Sequence, residues 1–330
     1  MELRKPIQID RALGCLWGGA IGDALGRPNE ARTPPKRRIE FFEPWHGWAG
    51  GPKGTITDDT QLTMVLAESL VELGRFDPDD FARRMTSIRI RGIGSATRDF
   101  IRAYHANGGD WRRAAQPSAG NGAAMRAAPI GLLNGISPDR LRNLAAEQAR
   151  VSHDDPMSAA SSAAAAYAVA LLARVERGAL DDISARIRFL REVADFIRGM
   201  EDGKAYVTRN GGVLSTIYNR LAEDLPRHLE AGSSLESIQE DFWSGGYILE
   251  SGPMAFACFL VHPEDFDEVV KEAACKTRDS DTVAAMAGNL AGAFVGASGI
   301  RKEWLDELEY REELKGLAAR LVEINMGEPG

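Results

Sequence analysis

Two short runs, Thr57-Asp58-Asp59-Thr60 and Asp279-Ser280-Asp281-Thr282, each place carboxylates and a threonine hydroxyl directly ahead of a long apolar helical stretch. Thr57, Asp58 and Asp59 from the first run, with Asp279, Asp281 and Thr282 from the second, make six oxygen donors. If the fold brings the two helix starts together, those oxygens suit one or two hard divalent cations. Without His or Cys the set does not fit a typical zinc site. Magnesium is the first expectation, manganese the second and calcium the third.

Helix capping is the plainer reading. One Thr or Asp ahead of a helix satisfies a free backbone N–H and is worth about 1 kcal/mol. Capping needs a single short polar side chain, however, and each run stacks two carboxylates with a threonine. Like charges crowded at a partly buried helix start raise each other's pKa unless a cation offsets them. The adjoining helices are the most apolar in the chain, where uncompensated carboxylates are costly to bury.

Helical periodicity dominates the elements that must carry these groups. Arg11–Gly26 has glycines at 14, 18, 22 and 26, and Gly288, Gly292 and Gly296 repeat the spacing in the last apolar helix. Glycine costs about 1 kcal/mol in a helix relative to alanine, so such ridges imply close approach of another backbone. Thr57–Leu73 reads as a helix closed by Gly74, and Asp77-Pro78 starts the next as N-cap and N1. Further helices are expected at 95–106, 138–150, 156–175, 181–200, 213–223, 252–261, 265–275, 281–298 and 303–324. No linker divides the chain, and a single all-α domain over 1–330 is expected.

Composition narrows the class. An apolar fraction of 44% with 27% charged residues is that of a globular protein with an ample core. A net charge of −8 argues against a general nucleic-acid binder. Three scattered cysteines (Cys15, Cys258, Cys275) read as reduced thiols in a cytoplasmic protein. The uncharged stretches Met157–Ala173 and Val283–Ile300 read as buried helices with no membrane role. No P-loop, zincin or serine-hydrolase motif is present.

Five blocks in register go further: Gly14–Glu30 (GCLWGGAIGDALGRPNE), Gly54–Gln61 (GTITDDTQ), Gly120–Pro129 (GNGAAMRAAP), Ser152-His153, and Asp279–Gly296 (DSDTVAAMAGNLAGAFVG). In these the chain resembles the ADP-ribosylglycohydrolase family over nearly its whole length. The resemblance implies a compact multi-helix fold with a dinuclear metal cleft holding two magnesium ions, or manganese. It maps the metal ligands to the same six residues, and implies hydrolysis of the bond between C1 of the terminal ribose and its acceptor, with ADP-ribose as product.

Catalytic roles then fall to Glu30, as base or as anchor for water and ribose, and to the metal-site carboxylates Asp58 and Asp279. Substrate contacts fall to Gly120, Asn121, Gly122, Ala123, Met125 and His153. Gly120-Asn121-Gly122 can offer a nest of backbone N–H groups to a pyrophosphate. Arg126 is open between a phosphate and a carboxylate partner. Trp45, Trp48 and Tyr247 are candidates for stacking on adenine.

Thr277-Arg278 departs from the Gly-Gly that many members carry before the second acidic run. The Arg89–Thr97 loop lacks the carboxylate some arginine-specific members place there. An ADP-ribosylated protein is the expected partner, with arginine as first acceptor; a small-molecule or nucleic-acid acceptor stays open. The alternatives are a catalytically silent ADP-ribose or nucleotide binder and a metal-dependent phosphoester hydrolase.

Overall fold

The computed structural model describes residues 3, 5–30, 32–46, 50–209, 212 and 214–326. Trp48, one of the expected stacking aromatics, lies outside them.

The centre is an antiparallel pair of helices, Ile9–Gly26 and Ser280–Val295. The glycine ridges explain it. A methyl on Gly18 would sit 2.2 Å from the Gly288 carbonyl oxygen, and one on Gly22 would sit 2.0 Å from that of Ala284. Gly14 meets Gly292 and Gly26 meets Ser280 in the same way. Backbone rests on backbone along the whole length, as the spacing predicted. This register fixes the end of the first helix against the start of the last.

Other helices wrap the pair: Pro156–Leu172, Ile248–Val261, Phe266–Lys276 and Arg311–Glu323 all pack on one or both of its members. Phe259, Phe294 and Trp304 are among the fully buried anchors of this apolar core. Asp58–Leu73 ends at Gly74 with φ +64°, and Asp77 caps the next helix by accepting from the Asp79 and Asp80 N–H groups, both as expected. No helix among the described residues is long and apolar enough to cross a membrane.

Three expectations need correcting. The stretch 213–223 is not one helix: Leu214–Ser215 pairs antiparallel with Tyr206–Val207, a two-stranded exception to the all-α reading. The helix there starts at Ile217 and runs through a wide turn at Arg220–Asp224 to Glu230. Pro226 has no N–H to give the regular ladder, a physical reason for the widened turn just before it.

The stretch 303–324 is split into Lys302–Asp306 and Arg311–Glu323, with Tyr310 at φ +58° between them. Tertiary bonds pull the break open. Glu309 donates its N–H to the Gly54 carbonyl at 3.1 Å and accepts the Ile56 N–H on its carboxylate at 3.1 Å. Leu235–Phe242, capped by Ser234, is a helix the periodicity missed.

Candidate active site

Asp23 organises the first acidic run. It sits fully buried in the first helix, one residue beyond Gly22. Its carboxylate accepts from the Thr57 N–H at 2.8 Å, the Thr57 hydroxyl at 2.7 Å, the Thr60 N–H at 3.1 Å and the Thr60 hydroxyl at 2.6 Å. The helix at 58–73 is thus capped from across the fold, and Thr57 at the N-cap makes no capping bond itself. In donating its proton to Asp23, Thr57 keeps its oxygen lone pairs for another partner.

The second run behaves alike. Asp279 stands at the N-cap of Ser280–Val295 yet makes no capping bond. Its Oδ2 accepts from the Asn121 side-chain amide at 2.7 Å instead. Where this chain uses acids as caps it does so plainly, as at Asp77, Asp182 and Asp265. Neither N-cap residue of the two runs, Thr57 or Asp279, is therefore spent on capping its helix, although Asp281 Oδ1 accepts the Thr282 N–H at 3.0 Å.

The glycine-packed helix pair brings the two runs together. Thr282 Oγ1 donates to Asp59 Oδ2 at 3.3 Å, which joins one run to the other directly. Glu30, Asp279 and Asp281 offer carboxylate oxygens that all lie within 4.8 Å of one another.

Five aspartates, 23, 58, 59, 279 and 281, are crowded here, and every one is pushed toward the protonated form. Burial raises Asp58 to about 7, with Asp281 and Asp23 adding to it. Asp59 and Asp281 are raised well above the usual carboxylate range by burial first and neighbouring carboxylates second. Asp23 and Asp279 are also raised by burial.

Two cations answer them. Arg27 donates to Asp281 at 3.1 Å, pairs with Glu30, and lies 4.2 Å over the Trp45 ring. Lys36 donates to the Arg278 carbonyl and the Ser280 hydroxyl, and burial lowers its pKa to about 8. Asp59 Oδ1 stays buried without any hydrogen-bond partner. An orphaned carboxylate oxygen in an all-oxygen cluster with surplus negative charge is what a hard divalent cation fits.

A cleft of about 680 Å³ opens beside the cluster. Asp58, Asp279, Asp281, Thr282 and Glu30 line one wall, while Gly120, Asn121, Gly122, Met125 and His153 line another. The Gly92–Thr97 segment closes a third side. Thr57 and Asp59 sit behind the wall, Asp59 linked to it through Thr282 and Thr57 held in place by Asp23.

Some expected contacts need revision. Ala123 is fully buried beneath the turn and does not line the cleft; its carbonyl is held by Gln148. The nest at 120–122 is not free as three donors, because Gly120 N–H goes to Ser118 and Asn121 N–H goes to the Gly246 carbonyl. Trp45 is covered by Arg27, and Tyr247 packs edge-on against Tyr206.

Arg126 does not line the cleft and pairs with no carboxylate among the described residues. It is fully buried and donates to Gln148, the Gly122 carbonyl and Ser152 Oγ. Ser152 Oγ in turn lies 2.8 Å from His153 Nδ1. Arg126 donates to the buried Ser152 hydroxyl, and among the described residues Nδ1 is the acceptor within reach of that hydroxyl's own proton, which favours the tautomer with the ring hydrogen on Nε2. Burial, then Arg126, pushes the His153 pKa down to about 3, so the ring is neutral. Nε2 faces the Gly120–Gly122 turn.

Asp23 and Arg27 were missed in the sequence, although both fall inside the first block. A lone aspartate in a glycine-ridged apolar helix was a usable signal, since buried carboxylates need partners. The Trp243–Gly246 turn was also missed. It holds the second run by accepting the Asp279 N–H on the Ser244 carbonyl and the Arg278 N–H on the Ser244 hydroxyl, each at 3.0 Å.

Comparison with known proteins gives the family. The ADP-ribosylglycohydrolase family model matches residues 4–329. The chain belongs to the ADP-ribosylglycohydrolase family. A relative from Archaeoglobus fulgidus is 31% identical, covering 94% of this chain and 96% of its own. The ADP-ribosylarginine hydrolase Tri1 of Serratia proteamaculans is 27% identical, covering 95% of this chain and 79% of its own. A solved ADP-ribosylglycohydrolase-related protein complex superposes with TM-score 0.69 at 30% identity, covering 96% and 99% of the two chains. The protein is an ADP-ribosylglycohydrolase, an enzyme that removes ADP-ribose from a modified acceptor.

Proposed function

We propose that this enzyme is a metal-dependent hydrolase of the bond between ribose C1 and a protein side chain, with ADP-ribose as product. The carrying observation is that two acidic helix starts converge while neither N-cap residue caps its helix. Thr57, Asp58 and Asp59 on one side and Asp279, Asp281 and Thr282 on the other would hold two magnesium ions, or manganese. When bound, these supply positive charge that fixes the ribose 2- and 3-hydroxyls and lowers the pKa of the attacking water.

The remaining work falls to the chain. Asn121 orients Asp279, and Asp23 orients Thr57 through hydrogen bonds already made. Glu30, lining the cleft, takes a proton from the water as the water oxygen bonds to C1 and the bond from C1 to the acceptor breaks, and that proton then passes to the departing acceptor. His153, neutral and protonated on Nε2, donates to an oxygen of the ADP portion lying along Gly120–Gly122. Arg126 holds that ring through Ser152.

Arginine is the acceptor favoured here, because the Serratia relative is named an ADP-ribosylarginine hydrolase. Against it stands the Arg89–Thr97 loop, whose cleft-lining residues bring no carboxylate. Three buried, unpaired cysteines suit a reducing compartment, and we place the enzyme in the cytoplasm as one catalytic domain.

The test is a panel of ADP-ribosylated arginine, serine and nucleic-acid substrates with magnesium or manganese. Release of intact ADP-ribose from the arginine substrate is expected. Release of AMP or phosphate would mark a phosphoester hydrolase, and binding without turnover a silent receptor.

A further inference from the structure

Beside the cleft lies a second, more open hollow of about 780 Å³, which shares Glu30, Gly246 and Asp279 with it. Its chemistry is the reverse of the acidic wall. Arg32, Arg209 and Arg278 all line it. Arg278 lies flat on Trp243 at 3.7 Å, has no ion pair with any described residue, and keeps Nε buried without a partner. Arg32 is exposed and likewise has no ion pair among the described residues. Arg209 pairs its Nε with Glu250 at 3.1 Å, and its side chain is 59% exposed.

The floor is held in a costly conformation. Trp243 and Ser244 both lie in the left-handed region, at φ +70° and +53°, where non-glycine residues are strained. Glu250 pins the same turn by accepting the Gly245 N–H at 3.0 Å. The turn places Trp243 under the Arg278 guanidinium and, through Ser244, ties Arg278 to Asp279 at the reaction centre. A pre-stacked guanidinium loses little freedom on pairing with an oxyanion.

We infer that this arginine shelf binds the acceptor side of the substrate and selects protein acceptors that carry an acidic residue beside the modified side chain. The inference rests on the proposed function, in which ADP-ribose lies along Gly120–Gly122 and His153, so that the shelf across Glu30 and Asp279 is left to the acceptor. The ligand is a short anionic group on a peptide. A long polyanion would meet a protein of net charge −8. Partly exposed charge pairs are individually weak, so two or three arginines acting together give a preference on the order of tenfold.

The experiment compares kcat/KM on three ADP-ribosylated substrates: one peptide with acidic flanks, the same peptide with neutral flanks, and an oligonucleotide. It uses the native enzyme, Arg278→Gln and Arg32→Gln, with inhibition by free ADP-ribose measured alongside. The acidic peptide is expected to lead the neutral one by about tenfold at low salt. That ratio should fall toward one in either variant and at 0.5–1 M salt, where the Debye length is only a few ångströms (about 3 Å at 1 M).

A ratio near one in the native enzyme overturns the inference. So does weaker inhibition by ADP-ribose in the variants, which would assign the shelf to the pyrophosphate, and so does an oligonucleotide that leads both peptides. Failure of the proposed function itself looks different, because the neutral peptide would then release no ADP-ribose at all.

Discussion

Replacing Gly22 by alanine tests whether backbone contact between the first and last long helices sets the site. The added methyl would meet the Ala284 oxygen at 2.0 Å, the Ala284 carbon at 2.3 Å and the Ala285 nitrogen at 2.8 Å. All three are backbone atoms in a fully buried helix, so no side chain can rotate away. The helices must part, which loosens the equivalent contacts at Gly18 and Gly26. Overpacking of this kind costs about 3 kcal/mol, the upper end of the usual range. Alanine returns about 1 kcal/mol of helix propensity, leaving a net loss of about 2 kcal/mol. For a chain of this size that lowers Tm by about 3 °C. Because Asp23 follows Gly22 and Asp281 lies one turn from Ala284, activity should fall more than stability does. Gly316→Ala is the control: it lies in the helix Arg311–Glu323 with nothing within 4 Å of the new methyl, and should raise Tm slightly. Differential scanning fluorimetry beside an ADP-ribose release assay reads both. A Gly22→Ala protein as stable and active as the native enzyme would refute the reasoning.

Three further outcomes are expected. Asp23→Asn, which leaves one acceptor for four donors, should weaken magnesium affinity 10–100-fold, as measured by titration calorimetry, while circular dichroism stays helical. In chelator, stability should rise as pH falls from 8 toward 6.5. The folded Asp58 binds its proton at about 7 against an unfolded value near 4, so its contribution is lost as pH climbs through that window. Below about pH 6.5 the buried, neutral His153 opposes it, because the unfolded chain takes up a proton there that the folded one does not. A Tm that drops steadily from pH 8 to 6.5 would contradict the Asp58 assignment. His153→Ala should raise KM, with less change in kcat, since the ring is proposed to hold the ADP portion away from the reacting bond; an unchanged KM would remove that role.

The glycine spacing made the central helix pair legible, because four glycines in one apolar helix have no other economical use. The acidic runs were legible as a shared site for a related reason: they carried more carboxylate than capping requires. What escaped the sequence depended on contacts between distant segments. Asp23 caps a helix that begins thirty-odd residues later, and no local pattern marks such a cap. Tyr310 and Trp243 adopt left-handed backbone that their side chains disfavour, held there by bonds to Gly54 and by the turn around Glu250. Arg126 was open between a phosphate and a carboxylate partner because burial cannot be read from one arginine in an alanine-rich block. Ala123 was misplaced for the same reason. Its neighbours reach the cleft, and only the sense of the turn decides which residue faces inward.

Metal content per chain tests the central claim most directly. After equilibrium dialysis against magnesium or manganese, the native enzyme should retain two ions per chain, and Asp58→Asn and Asp281→Asn should each retain fewer while losing most ADP-ribose release. A native enzyme that binds no divalent ion, or one that turns over fully in chelator, would contradict the account.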